Sequence, residues 1–195
     1  MSLGCNDEFF AADDEAINFF SSRSCVSFPE WRVQGDGLFE FALQTGTQQA
    51  LLLFQLGREG DFVALEIVKG LLKAHVGRNK SNTPLSSFCL VSDNQRHVIQ
   101  LRFTERYLDL MVDERGVRML LPLQSKPFVS EGPLFVGGLD SHKGEEVKRL
   151  ELASVPRKCA QGISFKECLR GLEANSEKKA LKDALFPKIY LLGVK

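Results

Sequence analysis

Four apolar runs follow one another between residues 38 and 76: LFEFALQT (Leu38–Thr45), ALLLFQLG (Ala50–Gly57), DFVALEIVKG (Asp61–Gly70) and LLKAHV (Leu71–Val76). Each is about one β-strand long, with Gly, Gln and charged residues between them. Phe39, Phe41 and Leu43 share one face of the first run. Val63, Leu65 and Ile67 share one face of the third, and Phe62, Ala64 and Glu66 fall on the other. The connections are too short for helical crossovers, so the series predicts an antiparallel meander of four neighbouring strands over Leu38–Val76. The fold class this predicts is all-β, an antiparallel β-sandwich.

The pattern continues on both sides. Ala16–Phe20 and Cys25–Phe28 read as short strands ahead of a turn at Pro29-Glu30-Trp31. Gly77–Pro84, rich in Asn, Ser and Lys, reads as a polar loop. Strands are predicted near Ser87–Val91, His97–Thr104, Tyr107–Asp113 and Val117–Leu121, the last two joined as a hairpin through Asp113–Gly116. Leu134–Gly138 reads as a buried strand ending in two glycines, and Asp140 to about Lys158 as a long charged loop. Ser164–Ala174, a helical or turn segment at Glu177–Ala184, and a last strand at Lys188–Gly193 complete the series.

The chain has 195 residues, enough to bury a large core in one domain. Its 25 basic and 25 acidic residues cancel, so no bulk field draws it to nucleic acid or an anionic membrane. No apolar run approaches the roughly 20 residues of a membrane span, and Met1-Ser2-Leu3-Gly4-Cys5 does not open a signal peptide. The expectation is a piece of a larger protein. The 15 Phe against two Tyr and one Trp indicate a core filled by rings without polar tips. Five cysteines with no C-x-x-C pair, and scattered His75, His97 and His142, build neither a dense disulfide scaffold nor a zinc site. There is no G-x-S-x-G elbow, no metal-ligand His spacing and no phosphate-cradling glycine loop. Glu66 is alone in its run, and Asp109 and Asp113 are too far apart for a carboxylate pair on one strand face, so no enzyme is expected.

Three stretches occur in a fixed order: Gly60-Asp61-Phe62-Val63-Ala64-Leu65-Glu66-Ile67, Leu134-Phe135-Val136-Gly137-Gly138, and Phe165-Lys166-Glu167-Cys168-Leu169-Arg170-Gly171-Leu172. Together they resemble the laminin G-like domain, a jelly-roll sandwich related to concanavalin A and found in modular extracellular proteins. Gly4–Phe9, Ala11–Asp14, Phe28–Trp31 and Arg58–Phe62 sharpen the likeness to the laminin G-like domains of cell-surface chondroitin sulfate proteoglycans. The resemblance implies that residues 1–5 end a preceding laminin G-like domain, to which Cys5 would belong, and that 6–195 form a single one. The family pairs the cysteine matching Cys168 with another in the last strand, where Val194 stands here. A Cys159–Cys168 bond across a short loop is the alternative, or Cys168 stays unpaired.

The resemblance also implies a calcium site. Its ligands would be the Asp61 carboxylate, a backbone carbonyl at Gly77 or Arg78, and groups from Phe128–Gly132, where no Asn or Asp occurs and Ser130 or Glu131 would stand in. Calcium takes about six to eight oxygens, so this set makes a weakly bound ion or none; no other cofactor is expected. Asn79-Lys80-Ser81 is an N-glycosylation sequon at the same place. Basic residues Lys143, Lys148, Arg149, Arg157, Lys158 and Lys166 alternate with acids in and after the long loop. Lys178, Lys179 and Lys182 form a second, more uniform cluster and the candidate glycosaminoglycan site.

The function implied is a non-catalytic extracellular adhesion or ligand-binding module, part of the ectodomain of a cell-surface chondroitin sulfate proteoglycan. Its partners would be a matrix or cell-surface protein, heparan sulfate, or a neighbouring laminin G-like domain, with no nucleic acid and no direct membrane insertion. The alternatives are a structural spacer packed on a sister domain and a lectin-like glycan binder.

Overall fold

The computed structural model describes residues 16–19, 25–33, 35–139, 150, 152–153, 165 and 167–188. Among the described residues, fourteen strands follow one another: β1 (Ala16–Phe19), β2 (Cys25–Phe28), β3 (Asp36–Gln44), β4 (Gln49–Gly57), β5 (Phe62–Val68), β6 (Leu71–Arg78), β7 (Ser81–Leu90), β8 (Arg96–Thr104), β9 (Tyr107–Val112), β10 (Arg115–Leu120), β11 (Ser130–Val136), β12 (Glu167–Ala174), β13 (Glu177–Lys178) and β14 (Phe186–Lys188). They form two sheets whose pairings are all antiparallel. One has the order β1-β12-β3-β8-β9-β10, with β13 on β12; the other runs β14-β2-β11-β4-β5-β6-β7. The sandwich expected from the apolar runs is present.

The core lies between the sheets. Phe39, Phe41 and Leu43 of β3 and Ile99, Leu101 and Phe103 of β8 meet Leu53, Val63, Leu65 and Ile67 from β4 and β5. A second apolar cluster covers the outer face of the other sheet, where Leu51, Phe54, Phe62 and Ala64 pack against Phe135, Leu139 and Leu152. Strands β4 and β5 are therefore buried on both faces, so β4 reads as an unbroken apolar run whereas β3 alternates. Stacked Phe54 and Phe62 rings, 6.1 Å between centroids, anchor this outer cluster. Fully burying such a side chain is worth about 1.5–3 kcal/mol.

Two expectations are corrected. The run Leu38–Val76 is not one meander: β3 pairs with β8 and β12 in the first sheet, and the chain crosses to the second before β4. The four residues 45–48 span the roughly 10 Å between stacked sheets as readily as they would close a hairpin, so short length alone does not show that neighbours pair. The consecutive meander is β4-β5-β6-β7 instead. Gly77–Pro84 is not a loop. Asn79 (φ +50°) and Lys80 (φ +64°) make a two-residue turn with both residues in the left-handed region, the arrangement that matches strand twist, and β7 starts at Ser81. Its polar composition reflects an edge strand whose alternate residues face solvent, and Pro84 is tolerated at an edge.

Candidate functional site

One end of the sandwich gathers the β4–β5 turn, the β6–β7 turn, the β8–β9 turn and the segment 121–129 between β10 and β11. Gly57 opens the first turn, its N–H donating to the Asp61 carbonyl at 2.6 Å, while the Arg58 N–H donates to the Val129 carbonyl at 2.9 Å. A Cβ on Gly57 would come within 2.8 Å of the Phe128 ring, so glycine here lets segment 121–129 approach. Phe128 is itself fully buried, edge-on to Phe103 at 5.2 Å.

The register that pairs Phe62 with Gly77 sets Asp61 beside Arg78. The two residues expected to share a metal ion do come together, but through the arginine side chain. Arg78 Nε lies 2.7 Å from Asp61 Oδ2, an ion pair without hydrogen-bond alignment. Nη1 donates to Glu105 Oε2 at 3.2 Å and Nη2 to the Lys126 carbonyl at 2.6 Å. The guanidinium also stands 5.7 Å from the Phe128 ring centroid. The second oxygen of each carboxylate is engaged as well: Asp61 Oδ1 accepts from the Asn79 N–H at 3.1 Å, and Glu105 Oε1 from the Phe128 N–H at 2.8 Å. Ser130, the stand-in ligand, is buried, and its hydroxyl oxygen accepts from the Val33 N–H at 3.4 Å.

This donor set does not fit calcium. A divalent ion on Asp61 would stand within about 4 Å of the guanidinium, a like-charge contact costing several kcal/mol even at an effective dielectric near 20. Glu105 and the Lys126 carbonyl left no mark in the sequence, since each looks like an ordinary turn residue.

Around this knot the surface is charged and apolar together. Lys126 Nζ and Glu59 Oε1 pair at 2.6 Å; that hydrogen bond and charge hold the Glu59 carboxyl below its ordinary range and the Lys126 amine above its own. Asn79 is exposed, its side-chain amide bonded to Gln124 Oε1, so the sequon sits at the tip of a turn on the same rim. Leu120 and Leu123 on the neighbouring strand end and segment are 78% and 84% exposed, and Val129 is partly exposed.

The other predicted site residues lie elsewhere. Lys178 and Lys182 are exposed, but Lys179 is turned in and pairs with Glu177 at 3.0 Å, so the three do not present one uniform basic face. Cys168 is buried in β12, and its proposed partner Cys159 lies outside the described residues. So do Cys5, Lys143, Lys148, Arg149, Arg157, Lys158 and Lys166.

Two polar clusters had no counterpart in the sequence reading. Glu66 and His75 form a buried pair on the outer face of the second sheet. His97 sits between Asp93 and Asp113 at the opposite end of the sandwich from Arg78, Nε2 3.0 Å from one carboxylate and Nδ1 2.9 Å from the other.

A family model described as Laminin G domain matches residues 43–177. The chain is 32% identical over 198 residues to chondroitin sulfate proteoglycan 4 of Homo sapiens, covering 97% of this chain and 8% of that protein. It is 30% identical over 182 residues to the Mus musculus protein of the same name, covering 93% and 8%. Neurexin-3a of Danio rerio is 28% identical over 178 residues, covering 88% of this chain and 10% of that protein. Among solved structures, domains LG4-5 of the mouse laminin alpha1 chain superpose with a TM-score of 0.73 at 18% identity, over 89% of this chain and 45% of that chain.

Proposed function

The chain belongs to the laminin G domain family, and from that membership we propose that it is a non-catalytic extracellular adhesion module that docks a matrix or cell-surface protein on the Arg78 rim. The single observation that carries this reading is the exposure of Leu120, next to segment 121–129, and of Leu123 within that segment, which hydrogen bonds from Arg78 and Asn79 hold in place. Large apolar side chains left in water on an anchored segment add nothing to folding, whereas a partner that covers them gains their burial. The charged residues around them, Arg58, Glu59 and Lys126, supply the polar border such an interface uses. Similarity to proteins named chondroitin sulfate proteoglycan 4, at 30–32% identity, supports reading the chain as one module of a larger proteoglycan.

The outer face of the first sheet is less suited to an anionic glycan. Arg102 is bidentate on Asp36, and Arg118 is bidentate on Asp109 while lying 4.2 Å from the Tyr107 ring centroid. A sulfated sugar would have to displace both pairs. The spacer reading has its own observation: Phe88 and Leu90, 84% and 56% exposed, lie on β7 at its end away from the Arg78 rim, where a sister domain could cover them.

The test uses labelled protein on live cells and on cell-free matrix. Saturable binding that is lost after mild protease treatment of the surface, and lost again with Leu120→Asp/Leu123→Asp, supports the rim. Binding unchanged by the double substitution sinks it, and binding removed by heparinase alone favours the glycan reading.

A further inference from the structure

We propose that Arg78 is the rim's own cation: its guanidinium holds the place a metal ion would take and makes the rim independent of divalent cations. The argument is geometric. Three oxygen groups from three separate segments converge on one side chain: the Asp61 carboxylate ahead of β5, the Glu105 carboxylate between β8 and β9, and the Lys126 carbonyl in segment 121–129. Two carboxylates and a carbonyl aimed at one point are the donors a hard cation selects. Here the point is filled by a planar cation that belongs to the chain and is only 10% exposed. Guanidinium is charged at every pH a protein meets, and its fork of N–H donors satisfies several oxygens at fixed angles, which a spherical ion does without direction.

The arrangement also joins the two sheets. Arg78 ends β6 in the second sheet, Glu105 connects β8 to β9 in the first, and the Glu105 carboxylate passes the contact on to the Phe128 backbone N–H. Removing the guanidinium takes from the Asp61 and Glu105 carboxylates, 16% and 31% exposed, the cation they share. Segment 121–129 then loses the hydrogen bond at its Lys126 carbonyl. The inference concerns the rim's cation and stands whether or not a partner docks on Leu120 and Leu123.

The experiment compares thermal midpoints of the chelator-stripped protein in EDTA and in calcium, with elemental analysis for bound metal. Wild type and Arg78→Lys are expected to carry no stoichiometric metal and to show the same midpoint in both conditions. Arg78→Gln is expected to melt several degrees lower in EDTA and to recover part of that loss in calcium, because the freed carboxylates then meet an external cation. A saturable rise of roughly 5–10 °C in wild type, the size expected at about a hundred times the dissociation constant of a true site, overturns the proposal. So does an Arg78→Gln protein as stable as wild type in EDTA.

Discussion

His75 Nε2 lies 2.9 Å from Glu66 Oε1 on the outer face of the second sheet, and neither side chain reaches solvent. Asn82 Oδ1 is 3.1 Å from the other ring nitrogen, and the Ala153 N–H donates to the same Glu66 oxygen at 3.2 Å. Gln49 donates to the Ala153 carbonyl, so the pair and its neighbour clamp both polar groups of one residue in the covering segment onto the sheet. Removing one partner leaves the other buried with the bond between them unmade. Glu66→Ala and His75→Ala are each expected to cost about 3–5 kcal/mol, while Glu66→Leu/His75→Leu costs well under their sum. Urea midpoints measure this; strictly additive losses would show that the two do not act as a pair.

His97 links stability to pH in a defined window. Burial disfavours its charged form, but hydrogen bonds to Asp113 and Asp93 and their charges outweigh that and raise its pKa above the ordinary value. Both carboxylates are lowered: desolvation opposes the shift, and the contacts with His97 and with the backbone N–H groups of Gln95 and Val98 prevail. The imidazolium's contribution is therefore complete below its unfolded value of about 6.5 and fades as pH rises through the raised folded value. The carboxylates' share is present above about 3.8 and is lost as pH falls through their depressed folded values. His97→Gln is expected to cost more at pH 5 than at pH 9, by about 1 kcal/mol after allowing for the half-exposed aspartates. Equal losses at the two pH values would mean that the contact is not ionic.

What could be read in advance follows from periodicity. The alternation of Phe39, Phe41 and Leu43 reports one buried face, and β3 is a strand with that face inward. The partner of β3 was not legible, because apolar pattern fixes which face is buried and says nothing about which sheet a strand joins. Ser81–Leu85 was hidden for the opposite reason: an edge strand exposed on one side lacks the apolar signal. At the rim, the family resemblance set Asp61 beside the backbone of Gly77 or Arg78, but the direction of the long Arg78 side chain was not legible. Arg78 Nε lies 2.7 Å from Asp61 Oδ2, on the carboxylate for which the resemblance implied an ion. Glu66 looked solitary because its partner His75 comes from the next strand.

Gly137 was legible as part of a double-glycine strand end, and its reason is now specific. Its φ is +75°, and a Cβ there would stand 2.2 Å from Phe19 Cε1. Its N–H donates to the Leu52 carbonyl and its carbonyl accepts from the Phe165 N–H, both at 2.8 Å, so the backbone cannot swing away without losing two bonds. Gly132 has a similar φ of +77° with open space around its missing Cβ. Gly132→Ala is expected to cost about 1–2 kcal/mol, from conformation alone, and Gly137→Ala about 1–3 kcal/mol more, from the added clash. Thermal or urea denaturation of the two variants checks the difference; equal costs would refute the Phe19 contact as its cause.

The sequon at Asn79 makes a prediction that joins modification to the proposed docking surface. Asn79 stands first in the two-residue turn after β6, and Ser81, the sequon hydroxyl, is exposed at the start of β7. A transferase needs reach to both, and both are exposed; the Asn79 side-chain amide bonds Gln124, next to exposed Leu123. Protein passed through a secretory pathway is expected to carry a glycan here, seen as a glycosidase-sensitive mobility shift. Ser81→Ala is expected to abolish the shift at a stability cost of about 0.5 kcal/mol or less, because an exposed turn-flanking serine has little to lose. Asn79→Gln is the poorer control, since its φ of +50° suits Asn better than Gln. A glycan at this point hangs over Gln124 and Leu123, so Ser81→Ala protein should bind cells more strongly than the glycosylated form if the partner docks on the rim. A shift that persists in Ser81→Ala would move the modification elsewhere, and equal binding by both forms would move the docking surface away from Leu123.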